Sequence, residues 1–326
     1  MLDAIRFVAS AVARKDYVAD LQHFKIKDGR ITGYNGAMAL SSDIDVDLDV
    51  QPKADKFLAA IKACQGTIAL NVTPTGKLAI KAGKFKSFID CLGEESPHFV
   101  LPEGEEVEVG PLFLAGLKAL QPAMGIDASR PWGMGIKLAA NSMYATNNVM
   151  LVEFYHGHPV PIDVVIPAAA VNEIIRIGEE PTRVQTNGLS VTFWFGEKRW
   201  LRTNVINGAD WPTDKIGALF ERVKDATPVE VPTSLKEAVE SLKPFLEEST
   251  AITLDGLTAR TIAEEGAGAS YEVTLPGFEE GKMVTYGHKQ LEILCEIANK
   301  VDLTLFPLPA VFFGERIRGV VAGMAR

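Results

Sequence analysis

An internal repeat limits what this chain can fold into more than any other feature of its sequence. The stretch VEVPTSLKEAVESL (229–242) has the same pattern as VEVGPLFLAGLKAL (107–120): a short β-branched strand, a break at a proline, and apolar residues at helical spacing. Self-similarity of this kind indicates one structural unit used several times along a chain. The apolar positions correspond pairwise as Phe113 with Leu235, Leu117 with Val239, and Leu120 with Leu242.

Further copies of the unit divide the chain into three domains. Alternating strands bounded by glycine and proline follow each helix. A chain of 326 residues also exceeds the roughly 100–150 residues that one domain usually holds. Strand-then-helix patterns recur at 44–64, 160–178 and 282–298, and a helix without a preceding strand lies at 2–13. Polar connectors at 93–106 and 221–228 place the domains at 1–104, 105–224 and 225–326.

Each predicted domain is an α+β unit that contains two copies of one helix plus several antiparallel strands. Helices of this kind pack on one face of the sheet, and the strands leave unpaired edges. Unpaired edges invite pairing with another chain, so they must be capped, charged or used for assembly. Three such domains laid edge to edge would form an arc.

Composition points to a soluble protein of the cytoplasm. No apolar run reaches the roughly 18 residues that a membrane span needs, so no membrane partner is expected. Asp3 precedes the apolar residues of the first helix, which is not the charge order of a secretory signal. The cysteines, Cys64, Cys91 and Cys295, are odd in number and widely spaced, which argues against disulfides and against a metal site.

The usual enzyme signatures are missing from the sequence. It contains no GxxxxGK[ST], HExxH or GxSxG motif. The acidic strand at 43–49 lacks the glycine and glutamate of a calcium loop, and HGH (156–158) lacks a third ligand at motif spacing. We therefore expect no catalytic residue, metal or cofactor. An enzyme whose acids meet only in space, and a purely structural protein, stay open as alternatives.

Three local motifs, in this order, resemble the β subunit of bacterial DNA polymerase III, the sliding clamp. YATNNVML (144–151) is similar to a turn and leucine of that family, and LRTNVINGADWPTD (201–214) to the segment that closes its middle domain. The tail IRGVVAGMAR (317–326) is similar to its last strand. The resemblance covers nearly the whole chain. Asn147 and Asn148 replace the family's acidic-glycine pair, and the chain is compact for a bacterial clamp. These departures favour a divergent or phage-encoded member, which would act in the host cytoplasm.

The resemblance implies a processivity factor with three tandem DNA-clamp domains arranged as a half ring. Such a protein encircles duplex DNA without reading its sequence and tethers a replicative DNA polymerase by a hydrophobic peptide groove. It also implies a clamp loader and a second copy of the chain, joined head to tail as a homodimer. The resemblance thus implies a role in DNA replication as a non-catalytic accessory subunit of a DNA polymerase.

Domain size sets the number of chains in such a ring. A domain of about 110 residues has a radius of gyration near 13 Å. By this estimate three domains enclose almost no hole, whereas six enclose one of roughly 27 Å, wider than a duplex of about 20 Å. Two chains are therefore the minimum, and the choice between dimer and trimer stays open. Head-to-tail contacts close a ring when the rotation between copies allows it.

Charge is unevenly distributed along the chain. The net charge of −9 disfavours nucleic acid when it is read as a bulk value. The helical segments are nevertheless net positive, and the resemblance places them along the hole, where cations attract phosphates of any sequence. Solvated charges on helices are the alternative. The predicted DNA-contacting cations are Arg6, Arg14, Lys15, Lys53, Lys56, Lys62, Lys118, Arg176, Lys236, Lys243 and Lys289.

The loop SRPW (129–132) lies where the sliding-clamp family has a DNA-contacting loop, so the resemblance adds two candidates for DNA contact. Arg130 could meet a phosphate and Trp132 could stack on an exposed base. The alternative is an arginine and a tryptophan packed at a domain edge.

The resemblance also predicts a peptide-binding pocket between the middle and last domains. Apolar walls with flexible methionine suit a pocket that accepts several peptides. Core packing is the alternative role for each residue taken alone. The matching positions are Thr146, Asn148, Met150, Leu151, Trp211, Pro212, Val320, Val321 and Met324.

Overall fold

The computed structural model describes residues 1–93, 101–206, 211–246, 251–261, 268–278 and 281–324. The chain forms two compact units, one of Met1–Leu114 with Val160–Ile206, the other of Ala115–Pro159 with Asn207–Arg326. Both combine helices with antiparallel sheets, which confirms the predicted α+β class. Parts of three predicted segments, at 94–100, 207–210 and 325–326, lie outside the described residues.

The helices lie where the repeat predicts them, with one addition. The extra helix, α5, falls in a stretch that the sequence pattern left without a helix. None of the helices in the described ranges is long and apolar enough to span a membrane. Their bounds are Leu2–Val8 (α1), Ala54–Ala63 (α2), Phe113–Leu120 (α3), Ala168–Ile177 (α4), Thr213–Glu221 (α5), Thr233–Leu242 (α6) and His288–Ile297 (α7).

The repeated apolar positions face the interior. Each buried leucine or phenylalanine contributes about 1.5–3 kcal/mol relative to an exposed one. Pro167, Pro232 and Gly287 precede α4, α6 and α7 in extended conformations, as the repeat predicts for the strand-to-helix joints. The helices are thus fixed by side-chain burial and by their entry residues. The buried positions are Phe113, Leu117, Leu120, Leu235, Val239 and Leu242.

The described residues also form 22 strands. In the first half of the chain they are Lys25–Lys27 (β1), Arg30–Tyr34 (β2), Met38–Asp43 (β3), Gln51–Pro52 (β4), Ala69–Val72 (β5), Leu78–Ala82 (β6), Phe85–Ile89 (β7), Cys91–Leu92 (β8), Glu105–Glu108 (β9), Gly135–Thr146 (β10) and Met150–Pro167 (β11). In the second half they are Arg183–Thr186 (β12), Ser190–Phe195 (β13), Arg199–Asn204 (β14), Val229–Glu230 (β15), Ala251–Leu254 (β16), Thr258–Thr261 (β17), Ser270–Glu272 (β18), Val284–Gly287 (β19), Lys300–Asp302 (β20), Ala310–Gly314 (β21) and Ile317–Val321 (β22).

The first unit contains a seven-stranded sheet in the order β1-β2-β3-β14-β13-β12-β9. It also holds a three-stranded sheet, β5-β6-β7, and the pair β4-β8. Strands β3 and β14 pair antiparallel, with Leu40 opposite Leu201, and both leucines are fully buried. The large sheet therefore joins strands from two predicted domains.

The second unit contains a six-stranded sheet in the order β10-β11-β22-β21-β20-β15 and a four-stranded sheet, β18-β17-β16-β19. Here too, strands from neighbouring predicted domains share one sheet. The two compact units consequently do not coincide with the three predicted domains. The division at 1–104, 105–224 and 225–326 stays a prediction.

Candidate binding surfaces

A cationic groove lies in the first unit and has a volume of about 550 Å³. It brings together Arg6 of α1, Arg14 after the first helical turns, Lys53 at the start of α2, and Arg176 in the last turn of α4. All four residues are predicted DNA contacts. Asp55 is the acidic side chain on the lining of the groove.

Two of these four cations are partly neutralised by neighbours. Arg176 donates from Nε and Nη2 to the Glu173 carboxylate at 2.9 and 2.5 Å, and from Nη2 to Ser10 Oγ at 3.2 Å. These bonds to Glu173 raise the pKa of Arg176. Arg6 lies 3.6 Å from Asp3, and both side chains are well exposed. Within the described ranges Arg14 and Lys53 form no ion pair, which leaves their charges available to a ligand.

The other predicted DNA-contacting cations are exposed but lie outside this groove. Lys243 donates to Glu292 at 2.6 Å, and this bond raises the pKa of Lys243 while it lowers that of Glu292. Lys56 lies 3.8 Å from Asp55. The remaining exposed cations are Lys15, Lys62, Lys118, Lys236 and Lys289.

The two DNA candidates of the SRPW loop differ in their surroundings: Trp132 is packed, whereas Arg130 is exposed. Trp132 lies in a 3₁₀ turn, Pro131–Gly133, and packs edge to face against Trp211 with ring centroids 5.6 Å apart. Trp132 is half-buried, whereas Arg130 is exposed. The contact favours the packing alternative for Trp132 and leaves Arg130 accessible to a phosphate.

The turn between β10 and β11 explains why two asparagines occupy this position. Asn147 Oδ1 accepts from the backbone amides of Val149 and Met150 at 3.1 and 2.8 Å, as an aspartate would. Asn148 has a φ of 71°, in the left-handed region that asparagine tolerates better than most residues with a side chain. Thr146 Oγ1 donates to the Met150 carbonyl at 2.7 Å and closes the turn.

Four of the predicted pocket residues lie on one pair of neighbouring strands, β11 and β22. In β11 and β22, Leu151 lies opposite Val320 and Met150 opposite Val321. Because successive residues of a strand face opposite sides, Leu151 and Val320 share one face, and Met150 and Val321 the other. We call the face of Leu151 and Val320 the outer face. The predicted set is therefore split between two faces.

The remaining pocket candidates lie near the end of these strands. Trp211 is buried and Pro212 half-buried, directly before α5. The 3₁₀ turn of Trp132 approaches Thr146, because a side-chain carbon at Gly133 would lie 3.2 Å from the Thr146 carbonyl oxygen. Met324 bonds through its amide to the Thr285 carbonyl at 2.8 Å, and its side chain is 42% exposed. Exposed Asn148 and Met324 are the members of the set most open to a ligand.

A polar network beneath α5 was not predicted from the sequence. Buried Glu153 accepts from Ser142 Oγ at 2.7 Å and from the Tyr144 hydroxyl at 3.0 Å, and it pairs with Arg318. The pKa of Tyr144 is raised by burial and by the Glu153 charge. The Arg318 guanidinium lies 4.2 Å from the centre of the Phe220 ring, on α5. The network thus anchors the helix that begins beside Trp211 and Pro212.

Comparison with solved structures identifies the fold. The chain superposes on the DNA polymerase sliding clamp of Caulobacter crescentus with a TM-score of 0.83 and 17% identity, over 100% of this chain and 97% of that one. The chain has the sliding-clamp fold. The sliding clamp of Bacillus subtilis gives a TM-score of 0.80 at 17% identity, with the same coverage of both chains. No family model matches the sequence, and no curated protein matches it.

A third relative with the sliding-clamp fold was solved with a ligand. The Helicobacter pylori β clamp, bound to a DNA ligase peptide, gives a TM-score of 0.77 at 18% identity and covers 97% of that chain and 100% of this one. The predicted resemblance to bacterial DNA polymerase III β clamps is thus confirmed as a likeness of fold. The identities are low, which agrees with the expectation of a divergent chain.

The HGH stretch lies in β11 of this sliding-clamp fold. His156 is 4% exposed, and neither of its ring nitrogens has a hydrogen-bond partner within the described structure. Burial, followed by the nearby His158, lowers the pKa of His156. In the described part of the chain no group of three potential ligands could hold a metal ion.

Proposed function

We propose that this protein is a DNA polymerase sliding clamp that encircles duplex DNA as a head-to-tail ring. The observation that carries the proposal is the match of fold over the full chain and over 97% of the Caulobacter crescentus clamp. A fold shared by proteins named as clamps supports a processivity factor, and it gives no support to either of the alternatives, an enzyme or a scaffold. In this function the protein carries out no chemistry and needs no cofactor.

The cationic groove supports binding to DNA without sequence preference. Arg14 and Lys53 are available cations, and charges of this kind attract phosphates irrespective of the bases. The exposed Arg130 and the other exposed cations would add to this attraction. Because the whole chain is acidic, with a net charge of −9, cationic surfaces are where a duplex would be favoured.

The outer-face residues Leu151 and Val320, with Met324, Trp211 and Pro212, support a pocket for partner peptides. Tethering a polymerase through such a pocket raises its effective concentration at the primer end without a tighter intrinsic contact. The Helicobacter pylori clamp was solved with a DNA ligase peptide, so peptide partners suit proteins of this fold. A replicative polymerase and a clamp loader are the proposed partners.

Open sheet edges support assembly with a second copy of the chain. In the described residues, β5 and β7 end the three-stranded sheet, and β18 ends the four-stranded sheet, whose other end, β19, is bonded to Met324. Phe88 of β7 is 54% exposed, and Lys86 lies 4.9 Å from its ring centre. Edges of this kind are suited to pairing between copies. We propose a head-to-tail homodimer that works in the cytoplasm, of the host if the chain is phage-encoded.

Topological linkage to DNA tests the proposal. The protein is loaded with a clamp loader onto nicked circular DNA, the free protein is removed, and half of the sample is linearised. We expect the protein to stay on the circle and to leave after the cut, because a ring slides off a free end. Equal loss from circular and linear DNA would contradict encirclement.

A further inference from the structure

An open groove of about 370 Å³ lies on the second unit, along β11, β21 and β22. Its principal lining residues are Glu153, Tyr155, Phe313, Arg316 and Arg318, and we call it the aromatic-arginine groove. None of the DNA or peptide candidates from the sequence lines it. Tyr155 and Phe313 are 48% and 39% exposed, and both of these large aromatic residues line the same groove.

The strand register shows that this groove continues the outer face of the proposed peptide pocket. Glu153 lies opposite Arg318, two residues along from the pair Leu151 and Val320. Because residues two apart on a strand share a face, both pairs lie on the same face. Phe313 of β21 lies opposite Arg318 on its other side and extends that face.

The next step along the strands brings Tyr155 and Arg316 together. The Tyr155 amide donates to the Arg316 carbonyl at 2.8 Å. A side-chain carbon at Gly157 would lie 3.4 Å from the Tyr155 ring and 3.6 Å from Arg316 Nη1, so the ring and the guanidinium border the same space. Four residues separate Leu151 from Tyr155, which is about 13 Å of extended strand. The distance from the pocket to the groove is therefore about four extended residues, and a ligand that spans it would pass Arg318, which packs against Phe220 of α5.

The charges of the groove favour an acidic ligand. Arg318 is paired with Glu153, whose carboxylate also accepts from Ser142 and Tyr144, so the one acid in the groove is already bonded. Within the described ranges Arg316 has no ion pair, although exposed Glu315 adjoins it in sequence. Two exposed rings beside a free guanidinium suit an aromatic side chain next to a carboxylate.

We propose that the aromatic-arginine groove binds an acidic, aromatic-containing segment that flanks the hydrophobic peptide in the pocket. The proposal rests on the proposed function, since it assumes that the pocket holds a peptide. The groove would then select among partners by the sequence beside their hydrophobic core. The gain in affinity comes from contacts at an exposed site, so we expect it to be about five-fold.

A core peptide and its extended forms separate this inference from the proposed function. The core peptide is a fluorescein-labelled pentapeptide with two leucines and a phenylalanine, chosen to match the apolar walls of the predicted pocket. The extended peptides add Gly-Asp-Tyr-Asp at its N-terminus or its C-terminus. Fluorescence anisotropy gives the Kd of each for the full chain. We expect one extended peptide to bind about five-fold more tightly than the core, and the same extension with lysine for aspartate to give no gain.

Variants of the groove complete the test. Arg316 has a φ of 58°, so Arg316→Asn removes the charge with a residue that favours this conformation. We expect Arg316→Asn and Phe313→Ser each to reduce the gain and to leave the Kd of the core peptide unchanged. Lys198→Gln removes an exposed cation of the first unit and is the matched control, with no effect on either peptide.

The outcomes distinguish the two ideas. If the core peptide binds and neither extension improves its Kd, the groove proposal is wrong and the peptide pocket stands. If the gain survives in both groove variants, the extension binds elsewhere and the groove proposal is again wrong. If the core peptide does not bind at all, the peptide part of the proposed function fails, and the groove proposal fails with it.

Discussion

Single residues show how this chain reaches a known fold at low sequence identity. At the β10–β11 turn, the Asn147 side chain makes the two bonds to backbone amides that hold the turn. Asn148 takes the left-handed conformation that glycine would otherwise supply. Backbone geometry is therefore kept although both residues differ from the acidic-glycine pair. That substitution could be read as tolerable from the sequence, because asparagine has both properties.

His156 should make the protein sensitive to mild acid. The pKa of His156 is lowered in the folded protein. Below the pKa of about 6.5 that histidine has in the unfolded chain, the unfolded chain therefore binds a proton that the folded chain does not bind. His156 therefore leaves the free energy of unfolding unchanged above about pH 6.5. As the pH drops below about 6.5, this group lowers the free energy of unfolding by at most about 1.4 kcal/mol per pH unit. We expect His156→Phe to flatten this fall.

Urea midpoints of unfolding between pH 7.5 and 5 measure the effect. The slope with pH is the readout, because the larger ring also changes the absolute stability. His158→Gln, at a more exposed neighbouring position, is the comparison and should change the slope less. Equal slopes in the wild type and in His156→Phe would show that another group sets the acid sensitivity.

At the scale of elements, the sequence predicted most of the helices, but it did not predict helix α5 or how the strands pair. Helix α3 and helix α6 follow from apolar spacing, because buried positions recur every three or four residues. Helix α5 was missed, although Ile216, Leu219 and Phe220 have helical spacing and Asp214 lies in its first turn. The sequence motifs assign the flanking residues to the end of the middle domain and to a polar connector, so this helical spacing does not enter the prediction.

Strand faces and long-range pairs could not have been predicted. Which of Met150 and Leu151 faces the proposed peptide pocket depends on the register with β22, which lies far away in the sequence. The pairing of Glu153 with Arg318 depends on that same register. The repeat also gave no indication that β3 would pair with β14, because a repeat describes units and not the edges that join them.

Phe220 should hold α5 in place. Its ring lies under the Arg318 guanidinium, a contact worth about 0.5–1 kcal/mol at a partly exposed site. We expect Phe220→Ala to speed amide hydrogen exchange in α5 and to leave exchange in α6 unchanged. Phe245→Ala, which truncates a phenylalanine that is 46% exposed, is the control and should leave α5 unchanged. Unaltered exchange in α5 of Phe220→Ala would mean that other contacts anchor the helix.

At the scale of the whole molecule, the proposed function requires an acidic protein to bind an acidic polymer. The net charge of −9 repels DNA at long range, so attraction has to come from local cations. The cationic groove supplies Arg14 and Lys53, which have no ion pair in the described part of the chain. Each phosphate neutralised releases counterions, and log Kobs falls with log salt by about 0.9 per contact.

We therefore expect Arg14→Gln with Lys53→Gln to lower the magnitude of this salt slope by about 1.8 on duplex DNA, if each residue meets one phosphate. Binding measured by anisotropy over a range of salt concentrations gives the slope. Lys198→Gln removes a cation outside the groove and should leave the slope unchanged. A double variant that binds more weakly but keeps the wild-type slope would mean that these residues shape the surface without contacting phosphates. An unchanged affinity and slope would place the DNA contacts on other helices.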